Sequence, residues 1–234
     1  TIVHASRHIV VVTQSMADHL RRKYPSATFE EIVLPIIVEY ADSPAVQAKP
    51  TSDQIKVIYS GGSQVWQNID LMLEVMSRTG RAAQYSVASH DHVRIREKAA
   101  ALGIADAIDF DVYTRDQLPI LYASADFGFV LRDDSAVNRV ACPTKLTEYL
   151  EFGVIPIVKL SEIGDFARHG YEFVTVEDFA AGRMPTEEER AGIIARNKDV
   201  LIHLRSLFTQ SAARLKPLRL ESRIPCGELA GLPT

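Results

Sequence analysis

Tryptophan occurs once and cysteine twice in the 234 residues of this chain. Cys142 and Cys226 lie far apart and lack metal-ligand spacing, which excludes a disulfide framework and fits a reducing compartment, so the cytoplasm is expected. Long apolar runs are missing too. The stretches 9–12 and 154–158 fall far short of the roughly 20 residues a membrane-spanning helix needs, so no transmembrane segment is expected. Positive charge is not in excess: a net charge of −4 and a pI near 6.0 argue against a nucleic-acid partner held by a general basic surface. Any anion site must therefore be local. None of the seven histidines forms an H-E-x-x-H or similar spacing, and His90-Asp91-His92 reads as a solvated loop doublet, so no metal site is expected. No G-x-S-x-G elbow supports a hydrolase triad. The chain opens without Met and without a charged-then-apolar leader, which is the pattern of a fragment rather than of a signal peptide.

What is present has globular composition, 47% hydrophobic and 24% charged, with length for one large or two small domains. Residues 9–12 read as a buried strand, Ser15 as the cap of a short helix, and 32–34 as a second apolar run. Residues 35–54 carry Pro35, Pro44 and Pro50 among small polar residues and read as a connector. From Ile55 onward strands (55–59, 85–88, 108–113, 126–131) alternate with helices (69–78, 93–102, 115–123). That alternation predicts a parallel sheet covered on both faces, an α/β Rossmann-like domain over 55–182 with ligands gathered at the carboxyl ends of the strands. Thr186 and Glu189 have capping-box spacing and open a helical segment over 183–216, followed by a turn-rich, weakly ordered tail over 217–234 with Pro217, Pro225, Gly227, Gly231 and Pro233.

The segment 142–158 carries most of the chemistry. Pro143 suits the first position of a helix and Gly153 the left-handed residue that ends one, so a helix is predicted over 143–152 with strand 154–158 after it. Leu146 and Leu150 fall on one side, Lys145 and Glu148 on another. The helix N-terminus, with open N–H groups and a positive dipole end, puts Lys145 where a phosphate would be stabilised and Glu148 where it can accept from sugar hydroxyls. By spacing alone the pair fits a solvated ion pair worth about 0.2–0.5 kcal/mol at least as well. Gly61 and Gly62, followed by Ser63, end the first strand of the domain and allow a diphosphate to approach the backbone, although on the residues alone a tight strand-to-helix turn explains them better.

Phe127-Gly128-Phe129-Val130-Leu131-Arg132, Val137-Asn138-Arg139, and Pro143-Thr144-Lys145-Leu146-Thr147-Glu148-Tyr149-Leu150 with Gly153 and Pro156 together resemble the donor-site signature of GT-B glycosyltransferases, most closely the family-4-like branch. Glu148, five residues before Gly153 and eight before Pro156, matches the second Glu of that family's E-x7-E pattern. The resemblance implies the C-terminal, donor-binding half of a GT-B fold, with 1–34 a remnant of a mostly missing N-terminal Rossmann-like domain and 35–54 the interdomain linker. It implies hexosyl transfer from a nucleoside-diphosphate sugar to a saccharide or lipid-linked acceptor in surface polysaccharide synthesis, with no cofactor beyond that donor. The site it implies consists of Gly61, Gly62, Ser63, Val112, Tyr113, Arg132, Asn138, Pro143, Thr144, Lys145 and Glu148. Glu148 would hold the ribose, Lys145 and Arg132 the diphosphate, and Val112 and Tyr113 the nucleobase. The implied place is the cytoplasm, at the inner face of the membrane if the missing domain makes a peripheral contact, and the chain alone would be inactive. Two departures stand out. Val140 occupies the place of the first Glu, and Trp66-Gln67-Asn68 lacks the cations that grip phosphate in many members. Both features favour the alternative, a non-catalytic Rossmann-like module that binds nucleotide or phosphate.

Overall fold

The computed structural model describes residues 2–40 and 54–221, with side chains to residue 215. A one-turn helix α1 (Ile2–Ala5) leads into β1 (His8–Val11), α2 (Gln14–Lys23) and β2 (Glu30–Val33). β1 and β2 pair in parallel, His8 opposite Glu30 and Val11 opposite Val33. Residues 41–53 of the expected connector, with Pro44 and Pro50, lie outside the described residues.

The rest is the parallel α/β sheet that the alternation predicts. Its strands are β3 (Ile55–Ser60), β4 (Ala83–Ala88), β5 (Ile108–Asp111), β6 (Phe127–Val130), β7 (Ile155–Val158) and β8 (Val174–Thr175). They lie in the order β5-β4-β3-β6-β7-β8, and every pairing is parallel. The helices between them are α3 (Ile69–Thr79), α4 (His92–Ala101), α5 (Leu118–Ser124), α6 (Ala136–Arg139), α7 (Thr144–Glu151), α8 (Gly164–Arg168) and α9 (Val176–Ala180), and α10 (Glu187–Glu221) follows. All of β6 and β7 is buried, as expected for central parallel strands covered on both faces. Strand alternation sorts the core into two layers. Val57 and Tyr59 join Met72, Leu73, Phe127 and Phe129 beneath α3, α4 and α9, whereas Ile58 joins Tyr122, Leu146, Tyr149 and Leu150 beneath α5, α7 and α10. Gly128 is what lets Tyr149 lie against the sheet. A Cβ there would stand 2.4 Å from the tyrosine ring.

Four boundaries differ from expectation. The strand expected over 108–113 ends at Asp111, whose carboxylate takes the Val112 N–H at 2.7 Å. Thr13, not Ser15, caps α2: its hydroxyl accepts from Met16 N at 3.0 Å and donates to Val140 O at 2.6 Å. Ser15 sits inside the helix, where its N–H and hydroxyl each donate to Asp165 Oδ1 at 3.0 Å while Gln14 N donates to Oδ2 at 2.6 Å. Asp165, 2% exposed, thus supplies from α8 the negative charge that the first turn of α2 wants. The helix expected over 115–123 starts at Leu118, because Gln117 folds back to take Thr114 N at 2.9 Å. Helix α10 opens with the anticipated reciprocal cap, Thr186 N to Glu189 Oε2 at 2.7 Å and Glu189 N to Thr186 Oγ1 at 3.2 Å. It runs to Glu221, past Pro217, where a tail was expected; residues 222–234, with Cys226, Pro225, Gly227, Gly231 and Pro233, lie outside the described residues. Along α10, Leu201 and Leu204 pack in the second core layer, while Leu207 packs with Val11, Ala17 and Val33. One helix therefore clasps the β1–α2–β2 unit to the larger sheet. Among the described residues no helix is long and apolar enough to cross a membrane.

Candidate functional site

A cleft of about 320 Å³ opens at the carboxyl ends of β3, β4 and β6. It is lined by Gly61, Gly62, Val112, Tyr113, Arg132, Pro143, Thr144, Lys145 and Glu148, so all of the expected site residues except Ser63 and Asn138 meet there. Ser60, Gln67, Ala88, Ser89, His90, Leu118 and Tyr122 complete the wall.

At one end are two cations held by neutral groups. Lys145 Nζ stands 3.9 Å from the centroid of the Tyr59 ring and donates to Gln67 Oε1 at 3.2 Å. The helical spacing would allow an ion pair with Glu148, but the structure shows none. Burial lowers the lysine pKa to about 7, the neighbouring Arg132 adds to the shift, and Glu148 opposes it. Gly61 makes this approach feasible: at φ +141° it adopts a conformation that side chains avoid, and a Cβ would meet Lys145 Nζ at 3.1 Å. Tyr59 closes the same turn by donating to Gly62 O at 2.5 Å. Arg132 donates from Nη1 to Asn138 Oδ1 at 3.0 Å, and its buried Nε has no partner among the described residues. Pro143 brings no capping side chain to α7, which leaves the first N–H groups of that helix open beside the two cations.

At the other end Glu148 is held by two tyrosines. Tyr40, which follows β2, donates to Oε1 at 2.6 Å, and Tyr122 on α5 donates to Oε2 at 3.1 Å. Tyr122 also lies 2.9 Å from Ser60 Oγ. It has one proton, so when it serves Glu148 the serine hydroxyl donates to it. A carboxylate has about four acceptor positions, and the two tyrosines leave room for two further donors. Desolvation and the Glu148 charge push the Tyr40 hydroxyl well above its usual pKa, keeping it a donor.

The two expected residues outside the cleft have structural tasks. Ser63 donates through N and Oγ to Asp91 Oδ2 at 2.8 and 2.9 Å, which also holds that carboxylate below its usual pKa. Asn138, 6% exposed, spans from Arg132 to Asp133 O, donating to the latter at 2.8 Å, and so acts on the cleft through Arg132. Val112 lines the cleft, but its N–H is taken by its neighbour's Asp111 Oδ1 at 2.7 Å. Cys142 is buried, its thiol raised to about 11 by desolvation, so it stays an inert thiol at neutral pH. Tyr40, Tyr122 and Gln67 were missed by sequence reasoning. No local pattern marks the two tyrosines, which meet Glu148 from 108 and 26 residues away, whereas Gln67 lies just past the glycine turn, where the sequence shows only the lack of a cation. Among the described residues no group of three or more His, Cys, Asp or Glu is placed to hold a metal.

No protein-family model matches the chain, and no curated protein matches its sequence. Solved structures do match its fold. The pneumococcal O-GlcNAc transferase GtfA, in complex with UDP and GlcNAc, aligns with a TM-score of 0.68 at 13% identity over 91% of this chain and 45% of its own. A glycosyltransferase from Rickettsia africae gives 0.68 at 14% over 92% and 64%, and WaaG, a glycosyltransferase involved in lipopolysaccharide biosynthesis, gives 0.64 at 14% over 88% and 62%. The chain has the fold of GT-B glycosyltransferases and is consistent with their C-terminal half. It spans about half to two thirds of the length of these proteins.

Proposed function

We propose that this chain is the donor-binding half of a GT-B glycosyltransferase that moves a hexosyl group from a nucleoside-diphosphate sugar to a saccharide or lipid-linked acceptor in surface polysaccharide synthesis. The observation that carries this is the division of one cleft into a cationic end, with Lys145 and Arg132 lacking carboxylate partners among the described residues, and an acceptor end at Glu148. A nucleoside-diphosphate sugar has matching parts: a diphosphate dianion and a pair of ribose hydroxyls. Neighbouring folds support the class of ligand, since GtfA was solved with UDP and GlcNAc and the Anabaena protein HepE with UDP and glucose.

In the reaction the bond between the sugar and the diphosphate breaks and negative charge grows on the leaving phosphate. Lys145, Arg132 and the open N–H groups of α7 are fixed before that charge develops, which is the arrangement that lowers a barrier electrostatically. Tyr40 and Tyr122 hold the Glu148 carboxylate in one orientation toward the ribose. The acceptor and any general base belong to a first domain across the cleft, so this chain alone binds donor and transfers nothing.

The non-catalytic nucleotide-binding module remains the second reading, favoured by Val140 in place of the first Glu and by Trp66-Gln67-Asn68 where cations are common. A transfer assay with labelled UDP-sugars, run on this chain and on a chain joining it to a complete first domain, separates them. Transfer by the longer chain only is expected. Nucleotide binding without transfer by either would establish the module, and robust transfer by the 234-residue chain would overturn the division of labour.

A further inference from the structure

The segment between the glycine turn and α3 is held more firmly than a connector requires. Ser63 is tied to Asp91, Gln67 N donates to Gln64 O at 2.8 Å, Asn68 N to Val65 O at 3.2 Å, and Asn68 Nδ2 reaches across to Leu131 O at 2.9 Å. Asn68, at φ 51° and ψ 47°, is the one non-glycine residue with positive φ among the described residues. A strained conformation of this kind persists only where the surroundings fix it, and it concentrates at ligand-binding segments.

This rigid segment presents apolar surface to water. Trp66, the only tryptophan of the chain, is 53% exposed on the 3-10 turn Val65–Gln67, beside Val65 at 90%. Its indole makes no hydrogen bond, ring contact or cation contact among the described residues. The next residue, Gln67, lines the cleft and holds Lys145. An exposed, unpartnered aromatic ring on a fixed support is the kind of group that dominates recognition energies.

We propose that Trp66, next in sequence to the cleft-lining Gln67, is a stacking platform for a pyranose ring beside the nucleotide cleft. A pyranose has one face rich in C–H groups that carry slight positive charge, complementary to the negative face of an indole. The site rests on the proposed donor function, because the end of the cleft beside Gln67 and Lys145 is the diphosphate end, where a sugar is attached or received. The ring comes from the donor sugar or from the acceptor glycan; the chemistry is shared and the experiment tells them apart.

Because Trp66 is the sole tryptophan, the emission of the intact chain reports on it alone. The chain is titrated with UDP, with UDP-glucose and UDP-GlcNAc, and with a neutral oligosaccharide, while calorimetry follows affinity in parallel. The expected result is little change with UDP and a shift to shorter wavelength with a pyranose-bearing ligand. Trp66→Ala should lose about threefold to tenfold in affinity for that ligand with UDP affinity unchanged, and Trp66→Phe should keep most of it. A response to UDP-sugars identifies the donor ring, and a response to the oligosaccharide without nucleotide identifies the acceptor. If UDP binds but no pyranose moves the emission and Trp66→Ala binds every ligand as the parent does, the platform is overturned while the donor site stands. If UDP fails to bind, the donor function falls, and the oligosaccharide titration alone decides Trp66.

Discussion

Raising the pH should weaken nucleoside-diphosphate binding through Lys145. The residue is half-buried, stacked on Tyr59, without a carboxylate in ion-pair contact among the described residues, and its pKa is brought down to about 7. The charged groups facing it are Arg132, which disfavours its proton, and Glu148, which favours it. Burial lowers Arg132 as well, but a guanidinium starts so high that it stays charged throughout the working range. If only the ammonium form binds the dianion, the competent fraction falls from about three quarters at pH 6.5 to about one thirtieth at pH 8.5, and apparent affinity falls about 25-fold. That figure is an upper limit, since the neutral amine still donates a hydrogen bond. The direction follows from the sign of the shift: a lysine with a lowered pKa is deprotonated in the empty cleft above neutrality, and the bound anion must draw a proton back. Calorimetry of UDP-glucose, a dianion throughout this range, at several pH values and in buffers of different ionisation enthalpy measures both the loss of affinity and the proton taken up. Lys145→Arg, charged at every pH used, should bind with an almost flat profile and no proton uptake. Affinity that is unchanged over this range in the parent, or an equal dependence in Lys145→Arg, would refute the coupling.

Other outcomes follow from single contacts. Glu148→Gln should weaken UDP and uridine alike by about 1–3 kcal/mol, as expected for charge-assisted bonds to a shared ribose, with little effect on folding because Tyr122 keeps Ser60 as a partner. Parallel titrations check this. Asp165→Ala removes three hydrogen bonds from the start of α2 and should destabilise the protein by about 1–3 kcal/mol, with faster hydrogen exchange in residues 14–33 than in the large sheet. Gly128→Ala drives a methyl into the Tyr149 ring and should cost about 1–3 kcal/mol in a denaturant titration.

Helix α7 and its strand were legible because their signals are local: Pro143 before the first turn, Gly153 after the last with φ 63°, and apolar residues at helical spacing between. The same holds for the alternating strands and helices, whose order fixes the sheet and therefore where a cleft opens. The partners of Glu148 were not legible. Tyr40 lies 108 residues away and Tyr122 lies 26 residues away, and a tyrosine in a connector or on a helix gives no sign of what it will meet. Ser63 and Asn138 sit at positions a donor motif favours, yet backbone and carboxylate partners nearby claim them. The cap of α2 misled for a related reason: Thr13 and Ser15 are both good capping residues, and the choice was made by Val140 and Asp165, more than 120 residues further on.

In the proposed function, Lys145 and Arg132 read a diphosphate in this cleft. The most direct measurement is calorimetric titration of the parent chain, Lys145→Ala and Arg132→Ala with UDP and with uridine under identical conditions. Expected is a parent that binds UDP more tightly than uridine, with each variant losing most of that difference while its affinity for uridine holds. A parent that binds neither ligand, or variants in which both affinities fall together, would contradict it.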